Sequence, residues 1–597
     1  RYLTINIVSL PPITYQMKHL KHINKYFYKY RKQLILGVII TIIARIFSLI
    51  MPEYVQLSID AIQKHLNNST GQPAIEWTLL YYTLIIIGSA LLSGFFTFWM
   101  RQLIINVSRY IEYDMKNEIY QKYQTLSQRF YKQNRTGDLM NRISEDVGKV
   151  RMYAGPAIMY SVQTITLFLC SIPLMLYTSP ILTFYALLPL PFLAILIYFI
   201  SKKIHQKTLE VQEFLSDLST FSQETFSGIN VTKAYAFENR TLEKVKKLSA
   251  IGKKKNLSLI KIEAVFVPMM IFLIGLSIIF VIFIGGQLYI DGKIDSVGVI
   301  AKFSIYVLML TWPVATIGWV SNIIQQAEAS QKRINEFLQE KPDIQNINNS
   351  STPINGDIIF DNVTFIYPDT NIKALDGISF HIPKGKNVAI IGRTGSGKST
   401  ILDLISRMYD PTEGNILIDN KNIKELNLNN LRNSISVVPQ ESFLFSDTIN
   451  NNIKFGKINA SQEEIIEAAK LAQVHQNIID FKDGYESILG ERGVSLSGGQ
   501  RQRVSIARAL LKNADIYLFD DCLSAVDTDT EEKILNNLSQ IAKDKTRIIV
   551  SHRITVARNA DFILMLENGK IVEQGTHQEL FQKQGIYRQY YNTQMMN

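Results

Sequence analysis

The sequence predicts a multi-domain chain of two unlike halves: an all-α membrane domain of six helices, then an α/β domain. Three observations predict it. Long apolar runs are confined to residues up to about 325 of the 597. In the remainder, IGRTGSGKST (residues 391–400) stands between an apolar strand pattern and a helical one. Between the halves, NINNSSTPING (residues 346–356) is polar and turn-rich and reads as a linker. The expected division is 1–340, a linker at 341–356, and 357–597.

Taking the elements in order, six segments reach the roughly 20 apolar residues that span a hydrocarbon core. They lie near residues 33–55, 77–100, 156–178, 181–202, 263–288 and 297–323. An even number returns the chain to its starting side, so both termini are expected in the cytoplasm. The formal charge of +11 agrees, because its basic residues cluster beside apolar runs, in KHLKHINKYFYKYRK (18–32) and KKIHQK (202–207). Such flanks fit the cytoplasmic face of a membrane under the positive-inside rule and argue for lipid, not nucleic acid, as the neighbour. The opening RYLTINIVSLPPITYQ lacks the layout of a secretory signal, so insertion is expected to rely on the internal segments. The two cysteines, Cys170 and Cys522, exclude a disulfide framework or a CxxC metal site.

The two connections expected to face inward, at about 101–155 and 203–262, are too long for structureless loops and are patterned as helices running on past the membrane. Each is interrupted by glycine, Gly137 and Gly228, where either a short transverse helix able to dock on another domain or a plain loop before the next helix is expected. Arg45 lies roughly 18 Å along its helix from the basic flank at 1.5 Å per residue. An intramembrane charge is a candidate cargo contact; facing a water-filled cavity or snorkelling to the interface are the alternatives. Trp312 and Pro313 predict a kink in the sixth span, with a packing role for the surrounding aromatics.

In the second half, residues 391–400 fit GxxxxGK[ST] through Gly392, Gly397, Lys398 and Ser399. The pattern supplies a turn whose amides cradle phosphates, a helix N-terminus facing the anion, a lysine for the terminal phosphates and a hydroxyl for Mg²⁺. Gly392, Arg393, Thr394, Gly395, Ser396, Gly397, Lys398, Ser399 and Thr400 are the expected ATP-binding stretch. The apolar run IYLF (516–519) then delivers Asp520 where a second Mg²⁺-organising carboxylate belongs.

Between these two stretches, Leu496, Ser497, Gly498, Gly499 and Gln500 spell LSGGQ. With this signature the chain resembles the ATP-binding cassette (ABC) proteins, and with six spans ahead of the cassette it resembles the type IV ABC exporter half-transporters. The resemblance implies an adenine-stacking role for Tyr367 and a Q-loop role at the metal and the attacking water for Gln440. It further implies an X-loop at GERG (490–493), a D-loop at SAVD (524–527, with Ser524 and Asp527) and a switch histidine at His552. It implies ATP and Mg²⁺ as cofactors, and composite sites in which each phosphate loop faces a partner's signature, so a second half-transporter is required.

One position departs from the pattern. The residue after Asp520 is Asp521, where the family usually has the glutamate that serves as catalytic base. Aspartate is one methylene shorter, about 1.5 Å, and near-attack geometry tolerates such displacement poorly. DDCLSAVD resembles the subunits that carry the degenerate site of heterodimeric bacterial multidrug exporters. The expectation is a multi-pass protein of the bacterial cytoplasmic membrane that exports small lipophilic or amphipathic cargo as a heterodimer with one weakened ATP site. A slow homodimer, a lipid flippase, an importer of the same fold and an ATP-gated pore are the alternatives.

Overall fold

The computed structural model describes residues 18–67, 75–350, 352–490, 496–541 and 543–595. It divides into two compact units. Among the described residues, six helical runs in the first unit are long and apolar enough to cross a membrane. They are α1 (Arg31–Asn67), α2 (Ile75–Thr125), a run ending in α3 (Ile158–Thr178), a run beginning at Pro180 and continuing in α4 (Pro189–Ser227), α5 (Glu238–Ile290) and α6 (Gly298–Gln339). Five of them share a core that includes Leu49, Met175, Leu193, Val281 and Phe303, while α2 packs through Met100 and Ile104 against Met159. Their outer sides expose rows of large apolar residues, such as Leu84, Ile87, Leu91, Phe95 and Phe98 on α2. A surface of that kind is stable against lipid and not against water.

The expected helical extensions are present: α2 and α4 run on to Thr125 and Ser227, and α5 starts at Glu238. Short helices, Gln128–Gln133 and Ile229–Ala234, lie at the two turns. In the first turn the glycine is not the interruption. Ser127 and Asn134, both with extended backbone, bound the short helix, while Gly137 lies inside the next one, Thr136–Asn141. Residues Gln124–Thr136 cluster with the second unit, where Arg129 pairs with Asp343 at 2.7 Å.

Within the sixth span, α6 continues through Pro313 without a break, and the Thr316 hydroxyl donates to the Pro313 carbonyl at 2.8 Å. Trp312 is 68% exposed, whereas Trp319 packs edge-on against Tyr160. Arg45 is half-buried, and no partner for its guanidinium occurs among the described residues. Charge inside the spans is not limited to Arg45: Lys302 of α6, 5% exposed, pairs with Glu53 of α1 at 2.5 Å.

The second unit is built on two sheets. A four-stranded antiparallel sheet joins β1 (Ile358–Ile366), β2 (Lys373–Ile382), β4 (Glu413–Ile418) and β5 (Lys421–Asn422) in the order β2-β1-β4-β5. A six-stranded sheet has the order β10-β9-β3-β8-β7-β6, with β3 (Asn387–Gly392), β6 (Ile435–Val438), β7 (Ile516–Asp520), β8 (Thr546–Ser551), β9 (Phe562–Glu567) and β10 (Lys570–Gly575). Its strands are parallel except β10. Because strand side chains alternate faces, β7 sends Ile516 and Leu518 into one core and Tyr517 and Phe519 into another. Burial on both faces explains the unbroken apolar runs IYLF and NVAII.

Candidate functional site

The phosphate loop links β3 to α7 (Lys398–Ile405). Every residue of β3 is buried, so the strand end is fixed against the neighbouring strands. Glycine is required at two loop positions. A Cβ at Gly392 would stand 2.3 Å from the Leu566 carbonyl oxygen, and Gly397 combines φ +99° with a backbone carbonyl, that of Ala374, 2.4 Å from where its Cβ would be. Gly397 starts α7, so the free amides of the first helical turn surround the loop.

Lys398 curls back over the loop, donating from Nζ to the carbonyls of Gly392 (2.9 Å) and Arg393 (2.8 Å). Burial lowers its pKa, while the nearby carboxylates of Asp521 and Asp520 oppose that effect. The Ser399 hydroxyl donates to Asp520 Oδ1 at 2.9 Å, joining the first turn of α7 to the end of β7. Burial raises the Asp520 pKa despite that hydrogen bond. A carboxylate held half-desolvated beside a hydroxyl and an ammonium is a cation-ready arrangement. Ser399 and Asp520 therefore fit a hard, oxygen-liganded ion such as Mg²⁺.

Asp521 follows β7 with φ +44°, and its amide donates to the Val550 carbonyl. Both of its carboxylate oxygens face His552 Nδ1, at 2.9 and 3.0 Å. A carboxylate only accepts, so Nδ1 carries the proton in this contact. Asp521 is 15% exposed at its side chain and His552 47%. Gln440 lies two residues beyond β6, exposed and without a side-chain hydrogen bond among the described residues.

Tyr367 is joined through its hydroxyl to Thr400 Oγ1 at 3.0 Å. Lys132, from the segment 124–136, places its ammonium 5.1 Å from the Tyr367 ring centre and 5.2 Å from that of Tyr409. Beneath them Asp403 of α7 is largely buried, which pushes its pKa up to about 6, with Lys132 as the opposing influence. Sequence reasoning did not connect Lys132 with this place, since 235 positions separate it from Tyr367.

The signature opens α8 (Gly498–Leu511) as a capping box. Ser497 Oγ accepts from the Gln500 amide, and Gln500 Oε1 accepts from the Ser497 amide. A Cβ on Gly499 would meet the Ala525 carbonyl oxygen at 2.7 Å, so the signature rests directly on the D-loop. Asp527 caps the following helix through the Thr530 amide. Arg553, next to the switch histidine, donates to the carbonyls of Ser524 (2.8 Å) and Val526 (3.3 Å) and pairs with the buried Glu531 at 2.5 Å. This clamp on the D-loop has no motif of its own. The expected X-loop lies mostly outside the described residues, at 491–493.

Thus one chain gathers Lys398, Ser399, Asp520, Asp521 and His552 in one place, while no hydrogen bond joins residues 496–500 to residues 392–400 among the described residues.

Comparison with known proteins accords with the two halves of the chain. The family model for the ABC transporter transmembrane region matches residues 34–314, and the ABC transporter model matches residues 375–524. The chain is 35% identical over 580 residues to the uncharacterized ABC transporter ATP-binding protein YknU of Bacillus subtilis, covering 97% of this chain and 98% of that one. It is 34% identical to the multidrug resistance-like ATP-binding protein MdlA of Escherichia coli, covering 97% of each. A solved bacterial Atm1-family ABC exporter with ATP bound superposes with a TM-score of 0.79 at 25% identity, over 94% of this chain and 98% of that one. The chain belongs to the ABC transporter family, as an exporter-type half-transporter that fuses a multi-pass membrane domain to an ATP-hydrolysing domain.

Proposed function

We propose that this half-transporter exports lipophilic or amphipathic compounds across the bacterial cytoplasmic membrane, with both termini on the cytoplasmic side. In this reading it works as a heterodimer in which its own phosphate loop forms the slower of two ATP sites. ABC exporters act as dimers, and the intact LSGGQ would complete the partner's faster site. The carrying observation is Asp521: the residue at the base position is a methylene short, and both its oxygens are turned to His552.

The proposed roles combine the family resemblance with the geometry. Tyr367 would stack the base, and the loop amides with Lys398 would hold the phosphates. Ser399 and Asp520, with Gln440 nearby, would hold Mg²⁺, which when bound offsets the charge of the phosphoryl oxygens. Asp521 would accept the proton of the attacking water, positioned by His552. Ser497 and the glycines of the signature would act on the partner's nucleotide. Domain limits at 340 and 357, with the linker between, are part of the same reading.

ATP-dependent accumulation of a lipophilic dye in inverted vesicles tests it. Accumulation against a gradient is expected. Equilibration without concentration would make the protein a gated pore, and loss of dye from the vesicles would make it an importer.

A further inference from the structure

The ion pair inside the membrane unit is part of a larger polar stripe. Glu53, Gln56, Asp60 and Gln63 recur on one face of α1 at spacings of three and four residues. They face the start of α6, which approaches so closely that a Cβ on Gly298 would stand 2.3 Å from Asp60 Oδ1. Asp60 accepts a hydrogen bond from Ser296, and Gln63 donates to the Tyr289 hydroxyl. Lys302 bonds Glu53 and, at 3.3 Å, Thr178 Oγ1.

A pair that merely fastened α1 to α6 would be buried on both sides with its neighbours satisfied. Here only the lysine is buried; Glu53 is 46% exposed at its side chain. Among the described residues, the side-chain oxygens of Gln56 and Gln63 are buried without a hydrogen-bond partner, and so is the hydroxyl of fully buried Tyr306, one turn beyond Lys302. Buried polar atoms without partners are costly, and of these Gln56 and Tyr306 lie within one turn of Glu53 and Lys302, the half-open pair. The unmet groups are mostly acceptors, and the two carboxylates against one lysine leave a negative charge in excess.

From this we infer that the stripe is a cargo site for amphiphiles carrying a protonated amine. The cargo ammonium takes Glu53 in exchange for Lys302, while the amide oxygen of Gln56, one turn along α1, accepts from one of its remaining N–H groups. The inference rests on the export reading and narrows it to a substrate class, recognised near the end of α6 farther from the linker.

The test is equilibrium binding to the full chain in nanodiscs, using daunorubicin, a fluorescent amphiphile with a primary ammonium, as the cation and Nile red as the neutral reference. Glu53→Gln should weaken daunorubicin relative to Nile red by about tenfold, the effect of losing one charge-assisted contact. Lys302→Met should act in the opposite direction and tighten the cation, because it removes the internal competitor. The exchanged pair Glu53→Lys with Lys302→Glu keeps an ion pair and serves as the folding reference; its daunorubicin affinity should differ from the native value.

An unchanged affinity ratio in Glu53→Gln overturns the inference while leaving the export reading intact. Weakening of the cation by Lys302→Met to the same degree as by Glu53→Gln also overturns it, since that is how a structural staple behaves. Binding of neither dye to the unmodified chain overturns both readings.

Discussion

Replacing Asp521 by glutamate should accelerate ATP hydrolysis by this chain. In the native site the backbone at Asp521 is pinned by its amide bond to Val550 and by the Ser524 hydroxyl, which donates to the Asp521 carbonyl at 2.9 Å. The strand end therefore cannot slide forward to make up the missing length. Its carboxylate stops at His552 Nδ1, 2.9 and 3.0 Å away. One added methylene lengthens the carboxylate's reach by about 1.5 Å. Since a misplacement of about 1 Å costs on the order of 10²-fold, restoring the reach should lower the barrier by about 2.7 kcal/mol. Steady-state phosphate release from the purified full chain, with nucleotide occupancy measured in parallel, reads the change. A rate that does not rise while occupancy is unchanged would refute the reach argument, and a fall would show that Asp521 is already the optimal base here.

Three other perturbations have defined outcomes. Lys398→Ala removes the ammonium poised over the loop, and nucleotide affinity should fall by about ten- to a hundredfold, as for a charge-assisted contact worth about 1.5 to 3 kcal/mol; unchanged affinity by fluorescent-nucleotide titration counts against the phosphate assignment. Arg553→Met strands buried Glu531 and frees two D-loop carbonyls, so the ATP-binding domain should lose about 3–5 kcal/mol, and a thermal midpoint equal to the native one would dismiss the clamp. Asp403 binds its proton more tightly folded than unfolded, so its contribution to stability is full below the unfolded pKa and is lost as pH rises toward about 6. Asp403→Asn should therefore flatten the decline between about pH 4 and pH 6 and leave the domain about 2–3 kcal/mol more stable at pH 7, whereas Lys132→Met should move the midpoint upward. Denaturation curves at a series of pH values check both, and an unaltered slope in Asp403→Asn would remove Asp403 from the explanation.

What could be read from the sequence was what short-range spacing encodes. The phosphate loop is legible because Gly392, Gly397, Lys398 and Ser399 must sit at fixed intervals for one turn to surround an anion, and the spans because lipid demands unbroken apolar helices. Helical periodicity also disclosed the extensions beyond the membrane. Contacts between distant side chains left no such trace. Glu53 and Lys302 each stand near the end of an apolar run, where a single charge reads as a boundary residue; only the packing of α1 against α6 makes them a pair. Arg553 looks like an ordinary helix-flanking arginine until the fold brings Ser524, Val526 and Glu531 around it. Gly137 misled for a complementary reason: glycine marks permissiveness, and the chain turned at Ser127 and Asn134, where extended backbone ends the helix instead. Trp312, beside Pro313, faces outward because helix rotation, which composition does not set, decides which side of α6 meets the core.

The weakened site is tested most directly by measuring, on the unmodified full chain without any partner, bound ATP per chain and steady-state turnover in the same preparation. ATP should be retained at the phosphate loop while turnover stays on the order of 10²-fold below that of the Asp521→Glu chain. Turnover of the unmodified chain equal to that of Asp521→Glu, at equal occupancy, would contradict a degenerate site and make this half-transporter a competent ATPase on its own.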